Sequence, residues 1–146
     1  MKTLKIYECG KMGGLSYSDA NTWRAELKQK LEYVAAMYDC VLDVINPLEY
    51  YNHFNFRHQS EEEVQDFDLA HVKNSDLIVV NLSGLSTSDG TKIELHDANY
   101  NNRIPVIAFG NRDEYENLHP WVKRCITRVE ESIDDVVEYI RDFYMC

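Results

Sequence analysis

Apolar and polar residues follow one another along this chain in the order expected when each strand is followed by a helix. Five short apolar runs are typical of buried strands, and they lie at 4–9, 41–45, 77–80, 104–109 and 126–129. The segments between these runs carry apolar residues at helical spacing, such as Trp23, Leu27 and Leu31. This repeated alternation predicts an α/β fold, with a doubly wound, five-stranded parallel sheet in a single domain covering 1–146.

Polar residues predict where the helices begin. Ser18 can cap the helix after the first strand, and Ser132, followed by Asp135, can cap the last helix. Ser60 and Glu63 form a capping-box pattern at the start of another helix. We therefore expect helices after residues 18, 60 and 132.

Asp68 falls on the apolar stripe of the helix that follows Ser60. It lies four residues after Val64 and four residues before Val72, so the three residues share one helix face. A carboxylate on a buried stripe is costly unless it is hydrogen-bonded or functional, and apolar neighbours favour its protonated form. A solvent-facing Asp68 is the alternative.

The connection at 48–59 is long for an α/β protein, and long structured loops are often lids or binding loops. Its aromatic residues could stack on a flat heterocycle or could pack a dimer interface. The sequence leaves both roles open for Tyr50, Tyr51, Phe54 and Phe56.

Length and charge limit the classes of partner. With 146 residues and 45% hydrophobic composition, the chain can form one core. Its net charge of −10 argues against nucleic-acid polymers and anionic membranes, because both attract basic surfaces. A small anionic ligand is compatible, since backbone N–H groups and one or two cations can bind it. No apolar run approaches the roughly 18 residues of a membrane span, and the amino terminus lacks a signal-peptide pattern.

The four cysteines, Cys9, Cys40, Cys125 and Cys146, are scattered and form no C-x-x-C pair. This distribution favours free thiols in a reducing cytoplasm over a zinc site or a disulfide framework. The histidines and carboxylates show no spacing that singles out a metal site. We therefore expect a cytoplasmic protein without a metal or a cofactor.

The stretch from 75 to 98 carries the strongest functional signal. The buried strand at 77–80 is followed by a small, polar, glycine-containing segment, and a helix is expected to begin near Gly90 or Thr91. Glu94 then falls in the first turns of that helix, outside the carboxyl end of a strand, where open α/β sheets bind ligands. The helix dipole would keep this carboxylate ionised, although acidic residues are also common in first turns for stability alone.

A second candidate binding segment follows the first strand and reads Gly10-Lys11-Met12-Gly13-Gly14. Three glycines and a lysine directly after a strand can wrap closely around a phosphate or a sugar. The segment matches neither the Walker A order nor G-x-G-x-x-G, so a plain tight turn is the alternative.

Taken in order, these segments resemble the nucleoside 2-deoxyribosyltransferase superfamily, which includes the related nucleoside 5′-monophosphate N-glycosidases. The resemblance rests on the strand ending in Tyr7 before the glycine segment, on Asp68 before the strand at 77–80, and on Ser88-x-Gly-Thr-x-x-Glu94. It implies a flavodoxin-like subunit in a homodimer or larger homo-oligomer, with sites shared between subunits.

The resemblance also implies residue roles. Glu94 would attack the anomeric carbon of a 2′-deoxynucleoside to give a covalent deoxyribosyl-enzyme, and Asp68 would protonate the departing nucleobase. Tyr7 would hold the Glu94 carboxylate in line through its hydroxyl, and a core aromatic whose hydroxyl reaches solvent is the alternative. A second nucleobase or water would then resolve the intermediate with retention.

Ser88 departs from the pattern of the transferases, in which an acidic residue six positions before the nucleophile usually holds the sugar hydroxyls. With the glycine segment and Gly90, it is more similar to the N-glycosidases, where these elements contact the 5′-phosphate. Asn117 before Trp121 resembles the transferase segment that reaches into the neighbouring subunit's site, and His119 could pair with phosphate. Asn117 and His119 are therefore candidate contacts in trans, or else surface loop residues.

These observations leave three functions to be compared. The first is transfer of deoxyribose between nucleobases, and hydrolysis of a nucleoside 5′-monophosphate to base and (deoxy)ribose 5-phosphate is the nearest alternative. A nucleotide-binding or sensor protein without catalysis is the third, and the joint presence of Tyr7, Asp68 and Glu94 argues against it. The expected partners are small nucleosides, nucleotides and free nucleobases.

Overall fold

The architecture is described from a computed structural model and covers residues 2–50 and 57–145. Within these ranges, the five strands are Lys2–Cys9 (β1), Cys40–Ile45 (β2), Leu77–Asn81 (β3), Val106–Phe109 (β4) and Arg128–Glu130 (β5). The six α-helices of the same ranges are Tyr17–Ala35 (α1), Glu61–Lys73 (α2), Asp89–Leu95 (α3), Arg112–Glu116 (α4), Pro120–Lys123 (α5) and Ile133–Tyr144 (α6). A 3₁₀ turn at Leu85–Thr87 precedes α3, and a π-helical turn at His96–Asn101 continues it. No helix in these ranges combines the length and the apolar character that crossing a bilayer requires.

The five strands form one parallel sheet in the order β2-β1-β3-β4-β5. This order confirms the predicted α/β, doubly wound, flavodoxin-like fold. The chain runs from β1 outward to β2 on one side and to β3, β4 and β5 on the other, so the order reverses between β1 and β3. In open sheets of this kind, ligands bind outside the carboxyl ends of the strands that flank such a reversal.

Helices cover both faces of the sheet. Leu4 and Ile6 of β1 pack into a core that α1 and α6 complete, whereas Tyr7 and Cys9 pack into a second core with residues of α2 and α3. The split follows from the two-residue alternation of side chains along a strand. Tyr7 and Cys9 therefore lie on the same face of β1, on the side of the sheet that carries α3.

Serine caps begin three of the helices. The side chains of Ser60 and Ser132 each accept a backbone N–H three residues later, which confirms the predicted starts of α2 and α6. The prediction for α1 was wrong, because Ser16 caps this helix by accepting the Asp19 N–H across 3.1 Å. Ser18 lies inside the first turn of α1.

Both β4 and β5 begin two residues later than predicted. β4 begins after Pro105, which has no N–H to donate to a strand ladder. β5 begins later because the Ile126 N–H donates to the Lys123 carbonyl across 3.0 Å and closes the turn after α5. The polar segment at 110–117 contains the unpredicted helix α4, which is capped by the side chain of Asn111.

Candidate active site

A cleft with two lobes opens at the carboxyl ends of β1 and β3. The glycine lobe, about 300 Å³ in volume, lies between residues 10–13 after β1 and residues 87–91 at the start of α3. The helix lobe, about 350 Å³, lies between α2 and α3. Asp68, Gly90 and Glu94 line both lobes, so the lobes meet at two carboxyl groups. The structure thus brings the predicted acids together in one cavity.

Glu94 receives hydrogen bonds from two side chains of β1. The Tyr7 hydroxyl donates to Glu94 Oε2 across 2.5 Å, and the Cys9 thiol donates to Glu94 Oε1 across 3.8 Å. Burial raises the pKa of the Tyr7 hydroxyl and of the Cys9 thiol well above their usual values, and the nearby Glu94 raises both further. Both groups therefore keep their protons and remain donors at neutral pH.

Burial raises the pKa of Glu94 to about 7. The hydrogen bonds from Tyr7 and Cys9 and the charge of Arg24 lower this pKa, whereas the nearby Asp68 raises it. The sequence predicted a carboxylate kept ionised by the helix dipole, whereas burial favours the protonated form. The helix begins at Asp89, earlier than predicted, so Glu94 lies in the second turn, where the dipole is weaker. Near neutral pH, protonated and ionised Glu94 are both populated.

Asp68 is partly buried on α2, and its carboxyl group is held by an aromatic residue from the preceding connection. The Tyr50 hydroxyl donates to Asp68 Oδ1 across 2.8 Å. The Tyr50 ring stacks on His71 at 4.8 Å and meets Phe67 edge-on at 5.1 Å between centroids. Tyr50 thus packs on its own chain and orients Asp68. Tyr51, Phe54 and Phe56, which carried the same prediction, lie outside the described residues.

Lys11 brings a positive charge to the glycine lobe. Its ammonium donates to Thr87 Oγ1 across 2.9 Å, and within the described ranges it forms no ion pair. The Lys11 stem crosses Gly84, where a Cβ would lie 2.7 Å from Lys11 Cδ. Gly84 also has a φ of +73°, which disfavours any other residue there. The position of the ammonium therefore depends on a glycine in the β3–α3 connection.

Gly10, the first residue of the glycine segment, is fixed from behind by α1. The buried Arg24 donates to the Gly10 carbonyl across 3.1 Å and to the Ala20 carbonyl of its own helix. A Cβ at Gly10 would lie 2.9 Å from the Trp23 ring. Gly10 is therefore needed for the close approach of this segment to α1, which sets the floor of the glycine lobe.

The remaining cleft residues come from the glycine segment, from α2 and from the start of α3. Met12 and Gly13 line the glycine lobe beside Lys11. Ser88 lines it from the other side, and its hydroxyl lies 2.6 Å from Thr91 Oγ1. Hydroxyl, backbone and ammonium groups thus line this lobe together with the carboxyl groups of Asp68, Asp89 and Glu94. The walls of the helix lobe include the apolar Val64 and Leu69 and the acidic Glu61 and Glu62.

Four predicted site residues are not among those lining this cleft. One of them, Tyr7, is fully buried and reaches the cleft through its hydrogen bond to Glu94. Gly14 occupies an exposed turn with a φ of +80°. Asn117 lines a separate depression of about 230 Å³ with Ser86 and Asp113. His119 caps α5, and its Nδ1 accepts the Trp121 N–H across 3.1 Å. A role for Asn117 and His119 in the site of a neighbouring subunit stays a prediction.

Within residues 2–50 and 57–145, no group of three or more histidine, cysteine or acidic side chains is arranged to hold a metal ion. Cys9, Cys40 and Cys125, the cysteines of these ranges, are free thiols.

Sequence patterns did not single out Cys9, Arg24, Thr87 or the hydroxyl of Tyr50 as parts of the site. Cys9 could have been found, because it follows Tyr7 at the two-residue spacing that puts both side chains on one strand face. The contact between Tyr50 and Asp68 depends on where Tyr50 lies relative to α2 in the folded chain, which no local pattern encodes.

Comparisons with known proteins establish the fold of this chain. No protein-family model matches the sequence, and none of the curated proteins matches it. Among solved structures, a conserved protein from Enterococcus faecalis V583 is 21% identical, with a TM-score of 0.73 over 96% of this chain and 98% of that one. A 2-deoxyribosyltransferase from Bacillus psychrosaccharolyticus is 20% identical, with a TM-score of 0.52 over 92% of this chain and 91% of that one.

Proposed function

We propose that this chain cleaves and re-forms the N-glycosidic bond of 2′-deoxynucleosides with retention, through a covalent intermediate on Glu94. The observation that carries the proposal is the 2.5 Å hydrogen bond from Tyr7 to Glu94 Oε2, in a cleft that Asp68 also lines. Retaining glycosyl transfer needs one oriented carboxylate and one proton donor in the same cavity. The shared fold with a 2-deoxyribosyltransferase supports this choice of chemistry.

In the first half-reaction, a carboxylate oxygen of Glu94 forms a bond to C1′ of the sugar while the bond from C1′ to the base nitrogen breaks. Asp68 donates its proton to the departing base, which leaves as a neutral molecule. The products are a deoxyribosyl ester of Glu94 and an ionised Asp68. Because the pKa of Glu94 is about 7, a substantial fraction of the enzyme holds the ionised nucleophile at neutral pH.

In the second half-reaction, an N–H nitrogen of another nucleobase attacks C1′ from the side that the first base left. The bond from C1′ to Glu94 breaks, and the proton of the attacking nitrogen passes to Asp68. Glu94 is released as a carboxylate, so two successive inversions give overall retention. Water in place of the second base would give free deoxyribose instead.

Hydrolysis of nucleoside 5′-monophosphates is the second candidate, and the charge of Lys11 favours it. The ammonium lies in the glycine lobe with a hydroxyl as its hydrogen-bond partner and, among the described residues, without a carboxylate within ion-pair distance. A 5′-phosphate could accept hydrogen bonds from Lys11, Ser88 and the backbone there. The product would be deoxyribose 5-phosphate or ribose 5-phosphate.

The same assay tests both candidates. The protein is incubated with single 2′-deoxynucleosides and a second nucleobase, or with single nucleoside 5′-monophosphates, and the products are separated by chromatography. A new nucleoside supports transfer, and a sugar 5-phosphate supports hydrolysis. If neither base exchange nor base release occurs with any substrate, both are contradicted, and tight nucleotide binding without turnover would then support a sensor protein.

We also propose that two or more copies associate in the cytoplasm, with Asn117 and His119 of one copy reaching the cleft of another. The support is that Asn117 lines a separate depression and His119 caps α5, and neither is among the residues lining the cleft of its own chain. Light scattering on the purified protein tests this proposal, and a monomer at the concentrations used for activity would contradict it.

A further inference from the structure

The Cys9 thiol is buried directly beside the carboxyl group to which the proposed function assigns nucleophilic attack. Its side chain is 1% exposed, and its Sγ lies 3.8 Å from Glu94 Oε1. We propose that Cys9 is a positioning residue, whose thiol holds Glu94 Oε1 while the Tyr7 hydroxyl holds Glu94 Oε2. The catalytic consequence rests on the proposed function, whereas the contact itself can be tested without turnover.

Two contacts are needed to fix a glutamate carboxyl group. The last torsion of a glutamate side chain is broad and roughly two-fold, so one hydrogen bond leaves the carboxyl plane free to turn. A donor on each oxygen defines that plane. Tyr7 and Cys9 supply the two donors from one strand face, and their backbones pair in register with Ile78 and Val80 of the central strand β3. Both donors therefore stand on a rigid, buried element.

Cys9 is suited to orientation rather than to chemistry of its own. Burial raises the pKa of its thiol well above the usual value, so the sulfur keeps its proton and acts as a donor. A thiol is a weak donor, so it stabilises the Glu94 charge less than Tyr7 does and leaves Oε1 more electron-rich. Weak hydrogen bonding to one oxygen and strong bonding to the other orients the group while preserving nucleophilicity.

Groups from three elements act on the charge of Glu94. These groups are Tyr7 and Cys9 from β1, Arg24 from α1 and Asp68 from α2. The other described cysteines have backbone carbonyls as hydrogen-bond partners, since Cys125 Sγ donates to the Trp121 carbonyl across 3.5 Å and Cys40 Sγ to the Val41 carbonyl across 3.9 Å. Cys125 therefore offers a matched control, because it is also a buried thiol with a hydrogen bond.

The test follows the Glu94 carboxyl group by carbon-13 NMR across pH 5 to 9, with the signal assigned by its loss in Glu94→Gln. In Cys9→Ala the pKa of Glu94 should rise by about 0.5 to 1, because a donor to the ionised form is lost. Cys9→Ser keeps a donor and should leave the pKa at or below the wild-type value, and Cys125→Ala should leave it unchanged. An unchanged pKa in folded Cys9→Ala would overturn the proposal.

A second measurement needs no destabilising variant. In the wild-type protein, the infrared S–H stretching band of Cys9 should move to lower wavenumber as Glu94 ionises, and it should be absent from Cys9→Ser. No response of any S–H band across the Glu94 titration would overturn the assignment. A responding band in a protein without N-glycosidic activity would retain the contact and end the proposed function. Full N-glycosidic activity without a response of any S–H band would retain the proposed function and end the proposal for Cys9.

Kinetics then connect the contact to catalysis. The acid limb of kcat/KM should move to higher pH in Cys9→Ala in parallel with the pKa measured by NMR, and Cys9→Ser should restore it. A loss of rate in Cys9→Ala at every pH, without movement of the limb and without rescue by serine, would indicate a packing role and would overturn the positioning role.

Discussion

The Tyr7 hydroxyl lies 2.5 Å from Glu94 Oε2, although 87 residues separate the two in sequence. Tyr7 is near the end of β1 and pairs in register with Ile78 of β3, and Glu94 is in the second turn of the helix that follows β3. The contact therefore forms across the reversal of strand order, where the two halves of the sheet meet. Pairing of β1 with β3 is what assembles the cleft.

Replacement of Tyr7 by phenylalanine should make Glu94 a less effective nucleophile in two ways. Loss of a hydrogen bond to a charged group costs about 1.5–3 kcal/mol, so kcat/KM should fall about tenfold to a hundredfold. The pKa of Glu94 should also rise, because the bond from Tyr7 lowers it. Since the attacking carboxylate must be ionised, the wild-type rate should decline below pH 7, and this limb should move to higher pH in Tyr7→Phe.

The measurement is kcat/KM as a function of pH for both proteins. Tyr33→Phe is the matched control, because Tyr33 is 71% exposed on α1 and should leave both rate and limb unchanged. An acid limb that stays in place in Tyr7→Phe would contradict the role of Tyr7.

Asp68→Asn should slow the departure of bases that need a proton, by about 10²- to 10⁴-fold. The effect should be much smaller for a deoxyriboside whose leaving group departs readily as an anion. Tyr50→Phe removes the hydroxyl that holds Asp68 Oδ1 and should show the same dependence on leaving group, at about tenfold. Rates for a pair of substrates that differ only in the leaving group provide the measurement.

Asp66→Asn is the control for this series, because Asp66 is exposed on the same helix. Equal rate losses for both leaving groups in Asp68→Asn would show that Asp68 does not donate the proton.

Lys11→Met should separate the two candidate substrates. Loss of a charged hydrogen bond to phosphate should raise KM for a nucleoside 5′-monophosphate about tenfold to a hundredfold. It should change KM for the unphosphorylated nucleoside by much less. Lys30→Met is the control, since Lys30 pairs with Asp134 across 2.6 Å on helices outside the cleft. Equal effects on both substrates would indicate that the glycine lobe does not hold a phosphate.

Sequence patterns predicted the layers of the fold well, because each buried strand and amphipathic helix carries its own local signal. The apolar run at 77–80 and the serine caps at Ser60 and Ser132 are examples. The strand starts were less predictable, since the start of β5 depends on a backbone bond from Ile126 to Lys123. Local sequence patterns do not predict such a hydrogen bond.

The acidic residues of the site could be predicted from the sequence, whereas their surroundings were harder to predict. Asp68 and Glu94 were chosen from helix position and resemblance, and they share a cavity. Helix position predicted an ionised Glu94, whereas burial by distant segments raises its pKa to about 7, so that both protonation states are populated near neutral pH. Desolvation depends on the packed structure, whereas the helix dipole can be inferred from position alone.

Glu8 gives a prediction for stability. It is fully buried between β1 and α1, neither carboxyl oxygen has a hydrogen-bond partner among the described residues, and burial raises its pKa to about 9. In the unfolded chain the same group titrates near 4.5. Between these values the unfolded state has released a proton that the folded state keeps, so the free energy of unfolding should fall as pH rises from about 5 to 9.

Urea unfolding at pH 5 and pH 8 measures this dependence. Glu8→Gln replaces the neutral acid by a neutral group of similar shape, so the variant should match the wild type at pH 5 and exceed its stability at pH 8. Glu32→Gln, on the exposed face of α1, is the control and should keep the wild-type slope. If the free energy of unfolding of Glu8→Gln changes with pH as steeply as that of the wild type, Glu8 does not titrate with unfolding.

Chemical quenching during turnover, followed by peptide mapping, examines the nucleophile most directly. During exchange of bases on a 2′-deoxynucleoside, the peptide containing Glu94 should carry one deoxyribosyl group. In Glu94→Gln this adduct should be absent, and turnover should fall by several orders of magnitude. Near wild-type turnover in Glu94→Gln, or an adduct on another residue, would contradict the assignment of Glu94 as the nucleophile.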